Sequence, residues 1–117
     1  MEDLNKSPLF VKTEGVEWEV AGEGVRRKIL AYDENLMMVR VEFKSGAVGY
    51  LHTHPHRQVT YVESGRFEVE ISGKKEVLGR GDCFIVEPDE PHGVAALEDG
   101  GLVDVFTPAR EDFLRGK

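Results

Sequence analysis

Gly65-Arg-Phe-Glu-Val-Glu-Ile-Ser72 alternates without a break: Phe67, Val69 and Ile71 fall on one side, and Arg66, Glu68 and Glu70 on the other. Successive side chains of a β-strand point to opposite faces, so this stretch reads as a strand with one face in a core and one in water. Working outward, residues 25–32, 36–43, 58–63, 83–87 and 102–106 are further short runs rich in β-branched or aromatic residues. Breakers separate them: Asp33-Glu34-Asn35, Lys44-Ser45-Gly46, Ser64-Gly65, Ser72-Gly73, Gly79-Arg80-Gly81-Asp82 and Glu98-Asp99-Gly100-Gly101. Short strands at about 8–12-residue spacing predict a sandwich or barrel, and no long amphipathic helix lies between them to build a βαβ unit. The chain reads as all-β. One short helical turn is expected at 109–114, with Thr107 as its N-cap and Pro108 at its first position. Residues 1–14 read as an arm ahead of a single domain over 15–117.

The 117 residues include 15 Lys and Arg against 22 Asp and Glu, a formal charge of −7, and one cysteine. That length fits one domain with one interior site. The acidic balance argues against duplex nucleic acid or an anionic membrane as the main partner. An anionic small molecule would need a local positive feature. A lone cysteine excludes an intramolecular disulfide framework and a thiolate-rich zinc site. Met-Glu-Asp-Leu-Asn-Lys has neither the basic start nor the apolar run of a signal peptide, so a cytoplasmic location is expected.

All four histidines fall in two places. His52, His54 and His56 lie in Leu51-His-Thr-His-Pro-His-Arg-Gln58, and His92 closes Pro88-Asp-Glu-Pro-His92. Residues two apart on a strand point the same way, so His52 and His54 can converge, and Gln58 keeps their parity. Three imidazoles and a side-chain oxygen would make an open site for one divalent metal, with Zn, Ni, Fe or Mn all suited to neutral nitrogen ligands. A bare His-x-His pair is equally at home on a surface, and His56 shares the parity, so periodicity alone does not separate it from the ligands. Pro55 is expected to bend the chain there, turning His56 or Arg57 outward.

These residues resemble the cupin family. Gly46, His52, His54, position 58 and Gly65 match the spacing G-x5-H-x-H-x3-E-x6-G, with Gln58 in place of the usual glutamate. Gly81 to His92 keeps the second motif's interval, although its proline sits at 88 rather than 87, Asp89 replaces a glycine and Ala96 an asparagine. The resemblance implies a single cupin-type jelly-roll β-barrel with the site in its mouth. It also implies His52, His54, Gln58 and His92 as the metal set, with His56 outside it. A glutamine ligand is neutral, leaves the metal more positive than glutamate would, and favours an anionic substrate and Lewis-acid chemistry.

A narrower resemblance covers residues 15–114. His-Thr-His-Pro-His-Arg-Gln-Val-Thr-Tyr-Val at 52–62, Gly-Arg-Phe-Glu-Val at 65–69 and Leu-Val-Asp-Val-Phe-Thr-Pro-Ala-Arg-Glu-Asp-Phe-Leu at 102–114 look like the KdgF family of pectin and alginate breakdown. That family opens the ring of 4,5-unsaturated monouronates to the linear keto-uronate. The resemblance implies Asp104 as the proton-moving acid and base, Arg110 as the holder of the substrate carboxylate and Phe106 as a wall of the sugar pocket. Read as a plain residue, Asp104 on an inward face needs a partner or a task, and a salt bridge to Arg27 or Arg110 would serve as the former. Phe106 reads equally as core. Arg27 is a further substrate-binding candidate within Arg26-Arg27-Lys28, and Tyr61 differs in parity from Gln58. Cys83 reads as a buried thiol, Asp82 and Glu87 as turn and rim residues. Two other functions fit a cupin: a metal-dependent dioxygenase, marked by oxygen consumption, and a non-catalytic sugar- or metal-binding protein. A homodimer is expected, because a short barrel leaves open sheet edges.

Overall fold

In the computed structural model, residues 5–115 are described. They form β1 (Glu19–Gly22), β2 (Val25–Tyr32), β3 (Met37–Phe43), β4 (Val48–His52), β5 (Arg57–Ser64), β6 (Arg66–Ile71), β7 (Lys74–Gly79), β8 (Cys83–Val86), β9 (His92–Ala96), β10 (Gly100–Thr107) and a helical turn α1 (Glu111–Leu114). One sheet runs β1-β2-β3-β10-β5-β8 and the other β4-β9-β6-β7, antiparallel throughout. The expected all-β architecture is therefore present. The expected barrel is not closed: no strand pairing among the described residues joins the edges of the two sheets, which face each other as a sandwich.

Alternation produces the core. β3 buries Met37, Val39, Val41 and Phe43 and turns Met38 outward, and β6 presents Phe67 and Val69 to them. Phe43 and Phe67 meet edge to face across the two sheets, with ring centroids 5.3 Å apart. Val62, Leu102 and Phe106 complete the layer from β5 and β10. The same parity corrects the reading of Cys83. On β8 the inward positions are Phe84 and Val86, so Cys83 stands opposite Tyr61 on the outer face, exposed.

The C-terminal helix starts later than expected. β10 stays paired with β5 through Thr107, which stands opposite Arg57, so Thr107 ends a strand instead of capping a helix. The Ala109 N–H then donates to the Glu34 carbonyl, and helical geometry begins only at Glu111. At the other end, the Ser7 N–H donates to the Tyr32 carbonyl at 2.9 Å and Ser7 Oγ accepts from the Tyr32 N–H at 3.0 Å, so part of the arm is tied to β2. Residues 1–4 of that arm lie outside the described residues. No helix is long and apolar enough to cross a membrane among the described residues.

Two of the places where the chain changes sheets are at Gly65, between β5 and β6, and just before Gly100, between β9 and β10. The two crossings touch. A Cβ on Gly65 would lie 2.6 Å from the Asp99 carbonyl oxygen and 2.7 Å from the Gly100 Cα, and Gly65 also has φ of +79°. Gly73 has a similar φ of +83° but open space around it. Gly73→Ala should therefore cost about 1–2 kcal/mol, the left-handed backbone alone. Gly65→Ala should cost about 2–4 kcal/mol, because backbone must also move. Urea unfolding of the two variants checks this, and equal losses would remove the crossing from the explanation.

Candidate metal centre

β4 delivers His52 as its last residue, and its pairing with β9 sets His92 directly opposite. His54 lies beyond the strand end, so the expected same-strand pair is instead a strand terminus and a loop. That loop is pinned where the Asp89 N–H donates to the His54 carbonyl at 2.8 Å. The rings still converge: centroids of His52 and His92 are 4.4 Å apart, and those of His54 and His92 4.7 Å. One ring nitrogen from each of the three lies within 4.8 Å of the others.

Hydrogen bonds orient these rings as a cation would require. Nδ1 of His52 bonds the Tyr50 carbonyl at 2.8 Å, Nδ1 of His54 the His56 carbonyl at 3.0 Å, and Nδ1 of His92 the Glu90 carbonyl at 2.9 Å. A carbonyl only accepts, so each Nδ1 carries the proton and each neutral ring keeps its lone pair on Nε2. Burial, the largest effect, lowers the pKa of His92 to about 4, and burial likewise lowers that of His54. His92 Nε2 is buried with no hydrogen-bond partner. His54 Nε2 faces Gln58 Oε1 at 3.0 Å, two acceptors pointing at one another. A shared cation resolves both features, and the donor set suits a borderline divalent metal.

The pairing of β10 with β5 brings the remaining candidates to this cluster. It sets Phe106 opposite Gln58, Asp104 opposite Thr60 and Leu102 opposite Val62, all on the inner face. Asp104 forms no salt bridge with Arg27 or Arg110. Its Oδ1 accepts the Thr60 hydroxyl at 2.6 Å and lies 3.4 Å from Gln58 Nε2. Burial pushes its pKa up to about 6, against the opposing pull of the Thr60 hydrogen bond and the Arg110 charge. Tyr61 faces the other way, as its parity predicts.

The bend at Pro55 turns Arg57 outward and leaves His56 inside, 8% exposed, its ring 5.5 Å from that of His54 and outside the three-nitrogen cluster. Arg110 is engaged. Its Nε and Nη2 hold both oxygens of Asp112 at 3.0 and 2.8 Å, and its guanidinium lies over Phe106 and Phe113. Arg27 pairs with Glu19 at 2.8 Å and stacks on the same Phe113 at 3.7 Å, so it reaches the site through that ring.

The Cupin domain family matches residues 39–106, more than half of the chain and all four converging residues. Pectin degradation protein KdgF from Dickeya dadantii (strain 3937) is 48% identical over 99 residues, 83% of this chain and 90% of that protein. The chain belongs to the KdgF family of cupins. Two solved structures agree. KdgF from Halomonas sp. superposes with a TM-score of 0.87 at 40% identity, over 92% of this chain and 99% of that one. An RmlC-like cupin from Shewanella frigidimarina NCIMB 400 superposes with a TM-score of 0.91 at 43% identity, over 93% and 98%.

In this KdgF-family chain the sequence reading passed over three residues. Thr60 is a threonine between two inward positions of one strand, and that parity was the available signal. Phe113, held between Arg27 and Arg110, and Asp112, which occupies the Arg110 fork, are legible only in three dimensions.

Asp104 has a stability consequence. Its pKa lies above the ordinary 3.8, so the native state holds this proton more tightly than the unfolded chain does. Its contribution is therefore favourable at low pH and is lost as pH rises through about 6. In metal-free protein Asp104→Asn, which removes this half-buried charge, should raise stability at pH 7.5 by about 1–3 kcal/mol. The gain should fade by pH 4.5. Thermal unfolding across pH checks the trend, and a variant less stable at pH 7.5 than at pH 4.5 relative to wild type would contradict it.

Proposed function

We propose that this protein opens the ring of 4,5-unsaturated monouronates, the products of pectin or alginate lyases, to give the linear keto-uronate without redox change. The observation that carries the reading is the β10–β5 register. It sets a half-buried Asp104, its pKa raised to about 6, beside a cluster of ligands none of which is a carboxylate, in a chain 48% identical to a pectin degradation protein.

The reaction is an isomerisation, so its atoms balance with no co-reactant. The anomeric hydroxyl loses its proton, the bond from the anomeric carbon to the ring oxygen breaks, and an aldehyde forms. The electron pair passes to the ring oxygen, and protonation of the former alkene carbon makes the ketone. Asp104 moves that proton from oxygen to carbon, and its raised pKa brings it near the operating pH. A divalent metal held by His52, His54, Gln58 and His92 would supply Lewis-acid stabilisation of the charge developing on oxygen. Arg110 binds the substrate carboxylate with the fork that now holds Asp112, so the substrate takes the place of an internal carboxylate. Phe106, buried between Gln58 and Arg110, forms the apolar wall against the sugar.

With unsaturated galacturonate, the metal-loaded protein should accelerate loss of the enol-ether absorbance, consume no oxygen, and give the open keto-uronate by NMR. Binding without conversion, or oxygen uptake, would instead support one of the two other cupin functions. Asp104→Asn should lower kcat about 10²–10⁴-fold with metal content unchanged. Arg110→Lys should chiefly raise KM, because an ammonium cannot reproduce the two parallel hydrogen bonds. Full activity in Asp104→Asn would end the proton-transfer role.

The reading extends to a cytoplasmic homodimer. Leu9, Phe10 and Val20 are 84% or more exposed and Tyr50 79%, apolar surface that a second copy would cover. Sedimentation should give twice the 13.1 kDa chain mass, and a monomer at working concentration would remove the dimer.

A further inference from the structure

Thr60 lies on β5, fully buried, two residues beyond Gln58 and directly across the ladder from Asp104. Its hydroxyl stands 2.8 Å from Gln58 Nε2 and 2.6 Å from Asp104 Oδ1. A hydroxyl has a single proton, and that of Thr60 goes to the Asp104 carboxylate oxygen. At the Gln58 contact the hydroxyl must therefore accept, and of the two ends of the amide only the nitrogen can donate to it. The direction of the chain is fixed as Gln58 N–H to Thr60 O–H to Asp104.

That direction decides which end of the Gln58 amide faces the histidines. With nitrogen toward Thr60, Oε1 faces His54 Nε2 at 3.0 Å, where a metal would take its lone pair. Turned over, the amide would set its oxygen against Asp104 Oδ1 at about the present 3.4 Å, and both oxygens would compete for one hydroxyl proton. It would also aim an NH₂ group, which has no lone pair to give, at the metal position.

We propose that Thr60 is a positioning residue: its hydroxyl locks the Gln58 amide with oxygen toward the metal position and at the same time holds Asp104 Oδ1 in place. The inference rests on the metal-dependent reading above. It explains how a glutamine can serve where a carboxylate, with two equivalent oxygens, would need no such lock.

The test uses the full-length protein stripped of metal and titrated with Co(II), read by competition with a chromogenic chelator and by the visible Co(II) spectrum. Partners that orient metal ligands typically account for about 10–100-fold in affinity. Thr60→Val keeps the shape and removes the hydroxyl, so it should weaken Co(II) binding about 10–100-fold and shift the visible bands. Thr60→Ser restores the hydroxyl and should stay within about threefold of wild type on that scale. Thr60→Ala, which places no methyl against Asp104, is expected to lose the same affinity and serves if Thr60→Val does not fold. With unsaturated galacturonate, Thr60→Val should lower kcat more than it raises KM. In a Gln58→Glu background either oxygen can ligate, so adding Thr60→Val should cost no more than about threefold in Co(II) affinity, a non-additivity that packing alone does not produce. Wild-type affinity and an unshifted spectrum in Thr60→Val, or equal losses in both backgrounds, would overturn the positioning role while leaving the metal centre standing. A wild-type protein that bound no Co(II) would remove both.

Discussion

The register between β10 and β5 is the constraint on which the site depends. In an antiparallel ladder, directly opposed residues share a face and sit within side-chain reach. Setting Asp104 opposite Thr60 therefore also sets Phe106 opposite Gln58 and Leu102 opposite Val62. A shift of one residue would turn all of β10 over, sending Asp104 and Phe106 out and Val103 and Val105 in. Leu102 and Phe106, both in the hydrophobic core, oppose that shift. The core residues that stabilise the sandwich are thus the ones that hold an acid, partly desolvated at some cost, beside the histidines.

That coupling explains which parts of the molecule were legible in the sequence. Strands with a clean apolar face announced themselves: 25–32 coincides with β2, and 65–72 brackets β6. β7, Lys-Lys-Glu-Val-Leu-Gly, carries no such pattern, because it is an edge strand whose outer residues face water and whose pairing to β6 comes from the hairpin. β1 escapes for the same reason. Cys83 is misplaced because Cys-Phe-Ile-Val is apolar at every position of β8, and only the strand's place in the sheet decides which alternate set faces in. The helix start at 109 followed a sound local rule, overridden when β10 ran on to Thr107 to complete its pairing with Arg57.

Within the site, the legible residues are those whose chemistry is rare. Histidines at motif spacing and an aspartate on an inward face stand out from any sequence. Thr60 does not, since threonine is ordinary in strands and its role lies in the direction of one proton. Asp112 does not either, because a carboxylate two residues after an arginine on the surface carries little information. It matters here because Arg110 has only 12% of its side-chain surface exposed, so its fork is held in one geometry.

Under the proposed function, the charges of the site account for how a chain of net charge −7 would take an anionic sugar. None of the four converging residues is a carboxylate, so a metal placed among them would keep its full positive charge toward the ligand. Among the described residues Asp104 is the carboxylate whose oxygen contacts Gln58, and its pKa of about 6 means that it carries its charge at a cost to the native state. Asp112 neutralises Arg110, and in the proposed complex the substrate carboxylate would take its place. Exchanging one carboxylate for another on a preformed fork leaves the buried guanidinium paired before and after, so binding does not require a naked charge at any stage. Selectivity among anions then falls to what else touches the incoming group: the Phe106 ring on one side and the neutral ligand cluster on the other, a combination that fits a flat, unsaturated sugar acid better than a compact inorganic anion.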